Sequence, residues 1–478
     1  MAETKSGNSF YQLPQGDARN TPTFSLVGSL LFFGALIPTV LAYFLTMDNE
    51  LRVLMAAIGL MTLLVVFASP FLGLVLFVAL LYIRPEDTIP SLTGLQMPLI
   101  VSVVTLTGLW FRHHLKKEKF VQAPVNLMII GFLCAAVIST ISGGNPLTAF
   151  TDVGKLAALY FLILNLVNTR KRFGYFVTLI ILLSCYLAGY AIYHYLKGDA
   201  LDANGLFRAV SAGGLFGDPN DFAAVTVGGL ALALGRVSES ISWKKLSYLA
   251  LSGIMIWGIM LSSSRGGLLA MMVVFAGLAL RYMRKNALLI PLIALAAFFL
   301  VAHGSSHMTD FSSQERSAND RLWFWDDGIT QFLHNPLTGS GYGQFTLHNG
   351  GRAAHNSFVI CFAETGFIGY FFWMGLIYYA YKRKRETGVE MDKRGGADLY
   401  FTRVALTGYL AAVFFLNHTY LPNMYIFMSL PVVQQLSYYR KLDLMKVDGK
   451  EGFRDVCLIA AICALSIIGI KLMVLILG

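Results

Sequence analysis

Several polar residues in this chain interrupt apolar sequence where their chemistry is useful. His355 is followed by Asn356 at the start of an apolar run, and a histidine can take up a proton near neutral pH. Arg265 breaks an apolar hairpin in the string Ser262-Ser263-Ser264-Arg265-Gly266-Gly267, whose glycines let a bulky phosphate approach the backbone. Arg208 precedes Gly217-Asp218-Pro219-Asn220-Asp221, and Arg321 stands just before Trp323 and Trp325. A guanidinium keeps its charge at any working pH and meets phosphate with planar, paired hydrogen bonds. The set therefore offers a general base and several anion-binding groups.

Each residue also has a plainer reading. Arg265 fits a turn residue whose side chain reaches the membrane interface. In Arg84-Pro85-Glu86-Asp87, Arg84 and Glu86 can pair and anchor a helix end. Asp218 and Asn220 suit a helix N-cap before 221–235. Lys155 reads as an interface anchor, Asn417-His418 as a solvated turn, and His355 by itself as an interfacial histidine.

The elements that must hold these groups are membrane spans. Hydrophobic residues make up 56% of the chain and charged residues 13%, with a mean hydropathy of +0.62. A soluble domain carries roughly 25% charged residues. The net charge of +10 does not indicate nucleic acid, because Lys and Arg fall in short runs between apolar stretches. The five cysteines lie in or beside apolar segments without metal-ligand spacing, so they read as packing residues. Residues 1–22 lack the apolar core and cleavage site of a signal peptide.

Apolar runs of span length occur at roughly 24–46, 51–69, 71–83, 96–111, 124–141, 154–168, 174–196, 223–235, 246–262, 266–281, 287–303, 356–381, 400–416, 424–438 and 455–477. The runs 51–69 and 71–83, parted only by Ser69-Pro70, can form one broken element. The expected fold is all-α and polytopic, with about 14 spans (12–15 allowed). The basic clusters at 112–119, 170–172, 236–245, 281–285, 382–385 and 440–450 then share one side, which the positive-inside rule makes cytoplasmic. His355, Arg265, Arg208, Arg321 and Arg84 fall on the other. The chain divides into a cytoplasmic tail 1–23, a membrane region 24–303, an outward loop 304–355 and a second membrane region 356–478. That loop has apolar residues at helical spacing over 321–333 and then a Gly/Pro run that stops the helix.

His355-Asn356, nine residues, and Gly366-Phe367-Ile368-Gly369 form the pattern H-N-x9-G-x-x-G at the start of a span. Together with Arg321-x-Trp323, Pro336-Leu337-Thr338-Gly339-Ser340-Gly341-Tyr342-Gly343, Ser264-Arg265-Gly266 and Arg208 with 217–220, it resembles the O-antigen ligase and polymerase superfamily over roughly residues 150–440. Tyr82-Ile83-Arg84-Pro85-Glu86-Asp87 is similar to the O-glycosylation ligase branch found with exosortase systems.

The resemblance implies transfer of a glycan from a polyprenyl diphosphate carrier to a hydroxyl acceptor such as lipid A core sugar. It places the reaction on the periplasmic side of a bacterial inner membrane, without metal or cofactor. It also implies His355 as general base, with Arg265 and Arg208 on the diphosphate and Arg321, Asn356 and Arg84 as further substrate-binding positions. Gly366 and Gly369 read as close helix packing. Asp218 with Asp221, or Glu86 with Asp87, are the acidic pairs a divalent cation would use. Glycan polymerisation, protein O-oligosaccharide transfer and, in another class, lipid or solute transport remain alternatives. No internal repeat of the transporter kind is visible.

Overall fold

The structure is a computed structural model, described here for residues 50–88, 94–117, 119–199, 201–203, 206–211, 216–239, 242–282, 311–382, 391, 393–439 and 449–477. The predicted tail 1–23 and the spans 24–46 and 287–303 lie outside the described residues.

The protein is an all-α polytopic membrane protein. Glu50–Ala68 (α1) and Pro70–Ile83 (α2) are joined at Ser69, because Pro70 cannot donate the bond that would continue the helix. Both lie along Met97–Lys116 (α4), where Gly108 abuts Phe67 and Gly73 abuts Thr105. The two runs form one bent element antiparallel to α4. A single turn, Pro85–Thr88 (α3), follows α2. Pro124–Ser139 (α5) and Pro146–Leu166 (α6) each begin with proline in the first turn, where its missing N–H costs nothing. Arg170–Lys197 (α7) leads to a short antiparallel hairpin, Leu201–Ala203 (β1) and Leu206–Arg208 (β2), which the apolar pattern did not predict.

Pro219–Glu239 (α8), Ser242–Leu261 (α9) and Arg265–Tyr282 (α10) follow. The segment 304–355 holds Phe311–His334 (α11) and Gln344–His348 (α12), so it is partly helical as expected. Ser357–Tyr381 (α13), Lys393–Val413 (α14), Pro422–Tyr439 (α15) and Gly449–Leu477 (α16) complete the described chain. Among the described residues, α6, α7, α9, α10, α13 and α16 are long and apolar enough to cross a membrane.

Helices α8, α13, α14 and α15 form the centre, with almost every residue from Phe222 to Ala233 buried. Small residues allow close approach there: a Cβ at Gly228 would overlap the Phe427 ring. Helix α16 lies outside this core and turns Leu465 and Ile476 outward, as a lipid-facing helix does.

The two ends of the bundle differ in chemistry. At one end Arg170 stacks on Tyr438 at 4.0 Å, Arg236 pairs with Asp398 at 3.0 Å, and Lys382 pairs with Glu451 at 2.7 Å and Asp455 at 2.5 Å. At the other end the connections carrying Arg208, Ser262–Ser264, 335–356 and 416–421 come together, through Ala209 N–H to Leu261 O at 3.0 Å and Thr419 Oγ1–H to Ser357 O at 2.7 Å. The functional candidates are gathered at this second end.

Candidate active site

His355 sits one residue before the cap of α13. The Asn356 Oδ1 accepts from Phe358 N–H at 2.9 Å and Val359 N–H at 3.2 Å, satisfying donors that a helix start leaves open. Asn356 is fully buried, so its side chain positions the helix start. His355 has a φ of 48°, in the left-handed region that a residue with a Cβ rarely occupies. Such strain persists only where the surroundings hold it. Here the Trp325 Nε1–H donates to Ala354 O at 2.9 Å, fixing the preceding carbonyl. His355 is partly open to solvent, and its imidazole makes no hydrogen bond among the described residues.

Trp325 lies one helical turn beyond Arg321, so both share a face of α11. Arg321 is half-buried and forms neither a hydrogen bond nor an ion pair among the described residues. Arg265, the first residue of α10, is exposed and likewise forms no hydrogen bond or ion pair among the described residues; its helix is capped by Ser264, whose Oγ accepts from Gly267 N–H at 3.1 Å. Arg208 is held from the strand side, with Nε–H donating to Ser262 O at 2.9 Å and Nη2–H to Asn220 Oδ1 at 2.9 Å. Asp218 caps α8 by accepting from Asn220 N–H at 2.7 Å.

These groups feel one another. Burial lowers the pKa of Arg321, and the nearby Arg265 lowers it further. Burial lowers that of Arg208 too; Asp218 opposes this and Arg265 adds to it. His355 is held below the ordinary histidine value, first by partial burial and then by Arg321, while Asp218 and Asp221 push it upward. Arg265 thus repels both Arg208 and Arg321, and Arg321 acts on a histidine that favours its neutral form. That arrangement can bind a multivalent anion and accept a proton.

Arg84 is placed differently. It ends α2 with a φ of 47° and pairs with Asp87 at 2.5 Å, and its pKa is raised chiefly by that bond. Its partner is Asp87, where the sequence suggested Glu86. Lys155 pairs with Asp152 at 3.1 Å at an exposed position.

Gly366 does more than pack. It breaks α13 with φ 63° and ψ −168°, a conformation open essentially to glycine. Loop 336–341 fills the break. Ser340 N–H donates to Ala363 O at 2.8 Å and Gly341 N–H to Glu364 O at 3.0 Å; Phe367 N–H returns a bond to Pro336 O at 2.8 Å. A Cβ at Gly339 would strike the Glu364 carbonyl, and one at Gly366 would strike that of Leu337. The glycines of the loop motif and of the helix motif therefore form one interlock. Gly369 matches the packing expectation, with its Cβ position 3.4 Å from Ala135.

His418 corrects the sequence reading. It is 1% exposed, whereas a solvated turn was expected. Its N–H donates to Ser357 Oγ at 2.8 Å, so the turn is sewn onto the start of α13. Its Nε2 meets Asp221 Oδ1 at 2.8 Å and its Nδ1 meets the Tyr409 hydroxyl at 2.7 Å. Glu364 also escaped notice, although it is the lone carboxylate in the run 356–381. It is buried beside Tyr420 and accepts from Phe345 N–H at 3.2 Å.

No curated protein matches the chain. A family model described as O-antigen ligase matches residues 250–374. That segment contains Arg265, Arg321, Trp325, His355 and the interlock at Gly366, and over it the chain is similar to the O-antigen ligase family.

Proposed function

We propose that this protein transfers a glycan from a polyprenyl diphosphate carrier to a hydroxyl acceptor, such as a lipid A core sugar, on the periplasmic side of a bacterial inner membrane. The family match supports a membrane function of the glycan ligase or polymerase type. The observation that supports the finer reading is that Arg321 acts on His355 while Arg265 acts on both Arg321 and Arg208, at the end of the bundle opposite the basic ion pairs.

The acceptor hydroxyl oxygen attacks the anomeric carbon of the donor, and the bond from that carbon to the diphosphate oxygen breaks. A diphosphate leaves readily, provided its growing charge is met by cations already in place. Among the described residues Arg265 and Arg321 have no hydrogen-bond or ion-pair partner to give up, so they can meet it. Arg208 is preoriented by Ser262 and Asn220 and approaches from another element. The neutral imidazole of His355 takes the hydroxyl proton as the new glycosidic bond forms. Asn356 is proposed to orient His355 through the helix cap, and Arg84 to order the outer end of α2. The reaction as written needs no metal ion.

The test is product analysis with purified protein in proteoliposomes, supplied with a polyprenyl diphosphate-linked glycan and lipid A core. Glycan attached to the lipid is the expected result. Longer glycan retained on the carrier would mean polymerisation, and unchanged donor would defeat the reading.

A further inference from the structure

A base placed among arginines has a physical problem. Arg321 disfavours the imidazolium that forms when His355 accepts a proton. The charged groups that act on His355 are Arg321 from α11, Asp218 at the start of α8 and Asp221 within its first turn; Arg265 acts on Arg321. The carboxylates are therefore the counterweight to the arginines.

Asp221 is held in an unusual way. Its Oδ1 faces His418 Nε2 at 2.8 Å, and its side chain keeps 28% of its surface open. A carboxylate only accepts, so His418 carries a proton on Nε2, and Nδ1 is left to meet the Tyr409 hydroxyl at 2.7 Å. Both partners are buried, with Tyr82 from α2 beside Tyr409. The turn carrying His418 is bonded through Ser357 to the helix start two residues after His355. The chain Tyr409–His418–Asp221 thus links α14, the 416–421 turn and α8, and ends on a partly open carboxylate at the site.

We propose that Asp221, clamped by the buried His418–Tyr409 pair, is a positioning residue whose fixed negative charge keeps His355 a competent base beside the arginines. The proposal rests on the reading of His355 as the general base. It adds a function for His418 and Tyr409, which touch no substrate.

The test separates the two claims. Carbethoxylation by diethylpyrocarbonate requires the neutral imidazole, and peptide mass spectrometry reads it at His355 alone. It is followed from about pH 5 to pH 8 in full-length protein, with glycan transfer measured in parallel. Asp221→Asn keeps an oxygen for His418 and removes the charge. Its modification midpoint should fall by roughly half a pH unit or more, and the plateau rate of transfer should drop by up to about threefold for each half unit. His418→Phe should shift the midpoint the same way, whereas His418→Gln, which keeps a donor, should stay near wild type. If His418→Phe does not fold, Asp221→Asn alone decides. An unchanged midpoint in Asp221→Asn would overturn the proposal. A shifted midpoint in protein that transfers no glycan would uphold it and defeat the glycan-transfer reading instead.

Discussion

The Trp325 indole Nε1 donates to the Ala354 carbonyl at 2.9 Å, so helix α11 is tied to the residue immediately before His355. Arg321 lies one turn earlier on the same helix, and the same bond therefore sets the separation of Arg321 from His355. Trp325 is 3% exposed and packs edge-on against Phe414 at 5.4 Å. Trp325→Phe keeps most of this packing and removes the bond. Loss of about 1 to 1.5 kcal/mol of positioning corresponds to a rate roughly tenfold lower at unchanged expression. An unchanged initial rate of transfer would mean that other contacts hold the loop.

Gly366→Ala should destabilise the fold itself. The new Cβ meets the Leu337 carbonyl, and the φ of 63° is strained for alanine. Conformational strain of ~1–3 kcal/mol, added to the overlap, should lower the detergent melting temperature clearly. Gly343→Ala is the control, because its φ is 72° but no atom lies within 4 Å of its Cβ position. That variant should melt much closer to wild type. Equal losses in the two variants would argue against the interlock.

The pH dependence follows from the direction of the His355 shift. A general base must be neutral, so the rate rises as pH increases through its pKa. Burial and Arg321 place that pKa below the ordinary value. Transfer at about pH 6.5, where an unperturbed histidine is half protonated, should exceed half the plateau rate. Arg321→Gln removes a charge that lowers the pKa and should move the acidic limb toward higher pH. A limb above about pH 7 in wild type would contradict the role of a depressed His355.

Arg265→Ala and Arg321→Ala should each lower transfer by ~10²–10³ without loss of insertion, because each removes a charge that meets the leaving diphosphate. Lysine at either position restores charge but not the planar pair of hydrogen bonds, and should recover only part of the rate. EDTA should leave wild type unaffected. Inhibition reversed by magnesium would instead direct attention to Asp218 and Asp221.

The fold class and the gathering of basic residues at one end were legible because the bilayer imposes both on the sequence. Apolar runs mark the helices, and the basic clusters that the structure describes do share one end, as Arg170, Arg236 and Lys382 show. His355, Arg208, Arg265 and Arg321 were legible as polar residues at span boundaries. His418 was not. A two-residue polar turn looks the same whether it is hydrated or buried, and its burial depends on Ser357 and Asp221, which lie far away in the chain. The break at Gly366 was hidden for a similar reason. The apolar character of 356–381 runs through it unaltered, and only the long-range bonds from Pro336, Ser340 and Gly341 replace those the helix loses. Charge alone does not show that Arg84 pairs with Asp87 while Arg265 meets no carboxylate among the described residues.

The most direct measurement of the central claim compares wild type with His355→Ala in glycan transfer from a polyprenyl diphosphate donor to lipid A core, at matched amounts of inserted protein, with donor binding measured separately. Wild type should transfer, while His355→Ala should still bind the donor and lose transfer by ~10² or more. Near-normal transfer by His355→Ala would contradict the assignment of His355 as the base and, with it, the mechanism built around the arginine cluster.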